Sequence, residues 1–192
     1  LRSEYSIGVV VTKPQSVPHS AFDRDRNQYE AGELVDLAAK TGQGKKSLGV
    51  TTVYLYYRDR NYVFGIAYLN GKGSIVSTHR LKKTTAGSNT TPSSDAVVER
   101  LQKEANHFAG NMLGLEHCSN DRCVMSFTST VTGIDKQNKS LCGQCHRELI
   151  SAHSSEPENQ DLADIFGPGN DRETRVYTAD REWARGDDSE KN

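Results

Sequence analysis

Apolar and polar residues along the first half of the chain follow a pattern that predicts short strands divided by turns. Strands are expected where β-branched and aromatic residues cluster between turn-forming residues, at residues 5–11, 47–57, 62–69 and 74–81. Asn70 and Gly71 begin a stretch whose composition is typical of a hairpin turn. Residues 33–39 predict a helix, which Gly42 ends.

The second half of the chain begins with a long predicted helix. Apolar residues recur at helical spacing over residues 96–113, and Ser94 or Asp95 is a suitable N-cap. Gly114 is expected to end the helix, because glycine tolerates the backbone conformation that such an end requires. A short last helix is predicted around residues 148–150. Strands combined with these helices indicate an α/β fold.

All four cysteines lie within residues 118–145, with the spacing C-x4-C-x18-C-x2-C. Each short pair supplies two thiolates from one turn, and the loop between them brings the pairs together, as in tetrahedral Zn²⁺ sites. The alternative is two disulfides, which need an oxidising compartment, and no apolar signal-peptide segment is seen near Leu1. We therefore expect one structural zinc ion in a cytoplasmic protein, bound by Cys118, Cys123, Cys142 and Cys145.

Directly before the first cysteine, residues 107–117 read HFAGNMLGLEH. This segment resembles the metzincin zinc-peptidase signature H-E-x-x-H-x-x-G-x-x-H. The cysteine that follows its last histidine, the C-V-M at 123–125 and the C-G-Q-C at 142–145 make the chain similar to the archaemetzincin family. The resemblance extends over roughly residues 5–150.

The resemblance implies a metzincin-like fold: a mixed sheet, an active-site helix below it and a small zinc-bound C-terminal subdomain. It implies zinc-dependent hydrolysis of peptide bonds, with a substrate strand paired to an exposed sheet edge that residues 62–69 resemble. It also makes His107 and His117 two of the three ligands of a catalytic zinc ion. Met125 would pack beneath that metal.

Two positions depart from the family signature. Phe108 stands where the family has the glutamate that acts as general base, and Asn111 stands where it has the second histidine ligand. A phenyl ring cannot take a proton from zinc-bound water, and a neutral amide is a poor zinc ligand beside imidazole. The residues therefore favour a degenerate archaemetzincin that keeps its structural zinc ion and binds peptides, with a doubtful second zinc ion.

The alternative is an active zinc peptidase with an unusual metal site. Loss of the base alone slows hydrolysis by roughly two to four powers of ten. Glu116 or Glu104 could take over the role, and Glu104 lies about one turn before His107. His146 is a candidate replacement ligand. A third reading, a zinc-bound nucleic-acid-binding module, is disfavoured because interleaved basic and aromatic residues are scarce.

The expected partner is a peptide or protein segment rather than nucleic acid or a membrane. The net charge is only −1, so no general attraction to anionic surfaces is expected. No apolar run approaches the roughly 20 residues that span a bilayer.

The chain is expected to divide into an archaemetzincin-like domain, residues 1–153, and a tail, residues 154–192. The tail carries 11 acidic and 5 basic residues out of chain totals of 25 and 24. A polar, acidic segment of this kind is expected to remain solvated. The alternative is that its few sizeable apolar residues, among them Val176, Tyr177 and Trp183, dock on the domain.

Overall fold

The computed structural model of the chain describes residues 1–154 and, beyond them, the backbone of two short strands. Its helices are α1 Arg2–Tyr5, α2 Ala31–Thr41, α3 Ser94–Met112, α4 Val131–Lys136 and α5 Gly143–Ser154. Its strands are β1 Phe22–Asp23, β2 Gln28–Glu30, β3 Ser47–Thr51, β4 Leu55–Tyr56, β5 Gly65–Tyr68, β6 Gly73–Ser77, β7 Val176–Thr178 and β8 Arg181–Glu182. The tail predicted to be solvated, residues 154–192, therefore lies mostly outside the described residues, and only residue 154, β7 and β8 belong to the described part.

A five-stranded mixed sheet forms the centre of the fold. Its strand order is β3-β6-β5-β7-β8. β3 and β6 run parallel, and each of the other neighbouring pairs is antiparallel. A second sheet of three short strands has the order β1-β2-β4. The mixed sheet with its helices confirms the predicted α/β fold class.

Helices cover both faces of the five-stranded sheet. Every residue of β6 is buried, as expected for a strand with both faces covered. Ile75 packs in a cluster with Leu34 of α2, while the next residue, Val76, packs with Phe108 of α3. Because successive side chains of a strand point to opposite faces, α2 and α3 lie on opposite faces of the sheet.

The predicted strand at residues 5–11 is wrong. Tyr5 ends the short helix α1, and Ser6 has a left-handed backbone with φ of 52°. Val10 and Val11 are 79 % and 90 % exposed. Tyr5 instead enters the interior, where its hydroxyl donates to the backbone oxygen of Asn106 at 2.5 Å. A β-branched run becomes a strand only where a neighbouring strand satisfies its backbone groups.

The strand predicted at residues 47–57 divides between the two sheets. β3 pairs with β6, whereas β4 pairs with β2. The strand predicted at 74–81 ends early as β6, because Ser77 Oγ donates to the Val53 oxygen and accepts from the His79 N–H, which turns the chain. The strand predicted at 62–69 and the helices predicted at 33–39 and 96–113 are confirmed as β5, α2 and α3.

A buried arginine fixes α3 against its neighbours. Arg100 is 3 % exposed, and its guanidinium donates to both carboxylate oxygens of Asp135 at 2.7 Å. Its Nη1 also donates to the carbonyl oxygens of Leu81 and Lys83, each at 2.8 Å. These bonds tie α3 to α4 and to the loop after β6, so they position the helix that carries residues 107–111.

Asp135→Asn is expected to lower the free energy of unfolding by about 2 kcal/mol, because buried Arg100 loses its charged partner at a site that is still partly solvated. Hydrogen bonds from Arg100 hold the pKa of Asp135 below its ordinary value of 3.8, so the ionised carboxylate stabilises the fold above that pH. The difference between variant and parent should shrink as the pH falls through the pKa of Asp135 in the folded chain. Urea unfolding at about pH 7 and about pH 3 measures both effects.

The matched control for that measurement is Asp59→Asn, at an exposed carboxylate. It should change the free energy of unfolding by less than about 0.5 kcal/mol. Equal losses in the two variants would contradict a specific contribution from the Arg100–Asp135 pair.

Candidate metal centre

The last turns of α3 place three residues of the predicted site in the interior. His107, Phe108 and Asn111 are 4 %, 0 % and 0 % exposed. Residues 107 and 111 are one turn apart and share a face of the helix. Phe108 belongs instead to the cluster that contains Phe64 and Val76 of the sheet region. The position that would hold a general base is therefore part of the hydrophobic core.

His107 is held in one tautomer. Its Nδ1 lies 2.9 Å from the carbonyl oxygen of Val124, and because a carbonyl only accepts, Nδ1 carries the proton. Its Nε2 is buried and has no hydrogen-bond partner among the described residues. Burial, and then the neighbouring His117, lower the pKa of His107 to about 4. The ring is therefore neutral near pH 7, with the Nε2 lone pair available to a metal ion.

Gly114 reverses the chain at the end of α3. Its φ is +91°, and a Cβ at this position would lie 2.6 Å from Asn70 Oδ1, so only glycine fits. The Leu115 N–H donates back to the Gly110 oxygen at 2.9 Å, which satisfies a carbonyl of the last turn. This turn directs the chain towards His117.

The structure brings the two predicted histidines together. The ring centre of His117 lies 5.3 Å from that of His107 and 5.7 Å from that of Phe127. Burial lowers the pKa of His117 to about 4. The pair therefore consists of two neutral imidazoles in a largely dry environment.

Asn111 has a fixed amide orientation. Its Nδ2 donates to the Leu115 oxygen at 2.9 Å, while its Oδ1 is buried and has no hydrogen-bond partner among the described residues. The amide oxygen is a lone-pair donor, but a weaker one for zinc than imidazole. Asn111 therefore keeps a lone-pair donor atom one turn from His107, without the zinc affinity of a histidine.

The four cysteine sulfurs converge on one point. They lie within 4.8 Å of one another, and all four are free thiols. The Sγ atoms of Cys118 and Cys142 are 3.6 Å apart, and those of Cys123 and Cys145 are 3.8 Å apart. A disulfide would need about 2.05 Å, whereas the sulfurs of a tetrahedral zinc site are about 3.8 Å apart. The arrangement fits a metal ion and not two disulfides.

Known proteins share this combination of elements. A family model described as peptidase family M54 matches residues 18–151. The archaemetzincin of Haloquadratum walsbyi is 49 % identical over 150 residues, which cover 78 % of this chain and 87 % of that protein. The chain belongs to the archaemetzincin family. The archaemetzincin of Methanopyrus kandleri is 35 % identical over 145 residues, 74 % of this chain and 78 % of that protein.

Solved archaemetzincin structures share the fold. The Methanopyrus kandleri crystal structure matches with a TM-score of 0.63 at 32 % identity, over 72 % of this chain and 73 % of that one. The Archaeoglobus fulgidus archaemetzincin, solved as a malonate complex, matches with a TM-score of 0.59 at 35 % identity, over 70 % and 77 % of the two chains. The structure of a zinc-dependent peptidase from Methanocorpusculum labreanum matches with a TM-score of 0.65 at 27 % identity, over 77 % of this chain and 88 % of that one. The predicted metzincin-like fold is confirmed.

The cysteine cluster of this archaemetzincin is chemically able to bind a metal ion. The N–H groups of Met125 and Cys142 donate to Cys123 Sγ at 3.4 Å and 3.2 Å, which stabilises a thiolate. Burial nevertheless raises the pKa of Cys123 to about 11. A bound cation would therefore be needed to hold this sulfur as a thiolate near pH 7.

The cysteine cluster and the histidine pair are physically connected. Val124, whose carbonyl orients His107, directly follows Cys123. Met125 is fully buried, and its side chain lies against Gly110 of α3. The role of the Val124 carbonyl was not predictable, because a backbone acceptor leaves no mark in the sequence.

His146, the candidate replacement ligand, is exposed on α5. Within the described part of the chain, the four cysteines are the only cluster of at least three cysteine, histidine or carboxylate ligand atoms. The structure therefore does not bring His146 to the His107–His117 pair as a third ligand.

Proposed function

We propose that this archaemetzincin holds one structural zinc ion at Cys118, Cys123, Cys142 and Cys145 and binds an extended peptide without cleaving it efficiently. The observation that carries the proposal is Phe108. It stands where the family signature has a glutamate, and its ring is fully buried among apolar side chains. No proton-accepting group is available at that position, so the usual route for activating water is missing.

A second metal ion would be held by the Nε2 atoms of His107 and His117 and by Asn111 Oδ1. When bound, zinc lowers the pKa of a coordinated water and so supplies the nucleophile of a hydrolase. Two imidazoles and a neutral amide hold zinc more weakly than three imidazoles. We therefore expect partial or no zinc occupancy at this second site.

Peptide binding does not require the missing groups. The family resemblance implies that a substrate strand pairs with an exposed sheet edge above the metal, and residues 62–69 resemble that edge. The expectation that this edge is exposed is wrong, because β5 also pairs with β7. Edge pairing uses backbone N–H and C=O groups and tolerates many side chains. A peptide or protein segment is therefore the proposed partner, rather than nucleic acid.

Within the described residues, no helix has the length and apolar character to cross a membrane. The free thiols suit a reducing compartment such as the cytoplasm.

The second candidate function is an active zinc peptidase with His107, His117 and Asn111 as ligands. It is favoured by the buried Oδ1 of Asn111, which has no hydrogen-bond partner among the described residues. Glu104, one turn before His107 and 3 % exposed, would then be the base.

A peptide-mixture assay separates the two functions. The zinc-supplemented full chain is incubated with a defined mixture of unstructured peptides, and new termini are counted by mass spectrometry. We expect no cleavage that depends on metal. New termini that disappear on addition of a chelator would contradict the proposed function and favour the active peptidase.

A further inference from the structure

The outer side of β5 is paired with the chain's own C-terminal segment. On its inner side β5 pairs with β6, from Gly65 opposite Val76 to Ala67 opposite Ser74. On its outer side it pairs antiparallel with β7, and Ala67 lies opposite Tyr177. β8 then continues the sheet beyond β7. The edge of β5 is thus covered by a strand distant in sequence.

The pairing pattern identifies the backbone groups that are covered. The Ser77 N–H donates to the Phe64 oxygen at 2.8 Å, so the backbone groups of Phe64 face β6. Backbone groups of successive residues point to opposite sides of an antiparallel strand. Those of Ala67 therefore face β7 and form a hydrogen-bonded pair with Tyr177. These are the groups of β5 that an added peptide strand would use.

The covered strand β5 packs against the last turns of α3. A Cβ on Gly65 would lie 2.6 Å from the Phe108 ring. Beyond the other end of β5, the Asn70 N–H donates to the Asn111 oxygen at 3.0 Å. β5 therefore runs along the part of α3 that carries His107, and a strand added to β5 runs beside the same region.

We propose that the β7–β8 hairpin is a built-in occupant of the peptide-binding edge and must leave before another peptide can pair with β5. This inference rests on the proposed function, because it takes β5 as the peptide-binding element. A strand attached to the same chain competes at an effective concentration on the order of millimolar. The hairpin also shields an edge that would otherwise recruit strands from other molecules.

The test uses the full chain and the variant Tyr177→Pro. Proline has no N–H and cannot donate to the Ala67 oxygen, so β7 should release the edge. The probe is a fluorescein-labelled peptide with the sequence of residues 174–183, TRVYTADREW. We expect the variant to bind it at least about ten-fold more tightly than the parent. Ser189→Pro, outside β7 and β8, is the matched control and should bind like the parent.

Amide hydrogen exchange supplies a second readout, which needs no variant. In the unmodified chain the Ala67 amide should exchange slowly, and in Tyr177→Pro it should exchange at least about ten-fold faster. Fast exchange at Ala67 in the unmodified chain would overturn the proposal, and so would equal probe affinity in the two chains. Metal-dependent cleavage of the probe would instead contradict the proposed function and leave the pairing of β7 intact.

Discussion

Cys142→Ser will remove the structural metal and unfold the chain after Gly114. A serine hydroxyl cannot replace the thiolate that binds zinc, and the free energy of zinc binding at such a site is largely the free energy that folds the region. The loss should exceed about 4 kcal/mol, enough to abolish a cooperative transition in that region. The effect should reach the histidine pair, because the Val124 carbonyl that orients His107 lies beside Cys123.

Thermal unfolding and zinc content per chain measure this prediction together. Ser119→Ala, at an exposed position next to Cys118, is the matched control and should change neither quantity. A Cys142→Ser protein with full metal content and the melting temperature of the parent would contradict a four-cysteine zinc site.

Asn111→His should raise the zinc content from about one to about two ions per chain. Position 111 already lies on the face of α3 that carries His107, and the Gly114 turn already brings His117 to within 5.3 Å of His107 between ring centres. Three imidazoles with an open fourth position form the usual catalytic zinc geometry. Little peptidase activity should appear, because the base is still absent.

Adding Phe108→Glu to Asn111→His should then produce measurable peptide hydrolysis. Phe108→Glu alone should raise neither the zinc content nor the peptidase activity. It should lower the free energy of unfolding by on the order of 3 kcal/mol or more, because it places a carboxylate in the cluster of Phe64 and Val76. The test is to measure zinc content and chelator-sensitive cleavage for Asn111→His, for Phe108→Glu and for the double variant. Zinc content should rise in the two variants with His at position 111, and cleavage should appear only in the double variant. A parent chain that cleaves peptides as fast as the double variant would show that another base and ligand exist.

The sequence was most informative where a local pattern sufficed. The spacing of the cysteines and the periodicity that ends at Gly114 predicted the metal cluster and α3, because both depend on residues close together in the chain.

Features that depend on distant partners were missed. Tyr5 begins a β-branched stretch that predicts a strand, yet its hydroxyl donates a hydrogen bond to the backbone oxygen of Asn106, about one hundred residues away. β4 pairs with β2 instead of continuing β3. The pairing of β7 with β5 joins segments about one hundred residues apart. Docking of Val176 and Tyr177 was only the alternative from the sequence, because short strands carry little periodicity of their own.

Zinc stoichiometry measured by native mass spectrometry tests the central claim most directly. The full chain is purified without added zinc and washed with a mild chelator before measurement. We predict one zinc ion per chain, released only when the chain is denatured, because four thiolates hold it and the His107–His117–Asn111 set does not retain a second. Two zinc ions per chain that both resist the chelator would contradict this account.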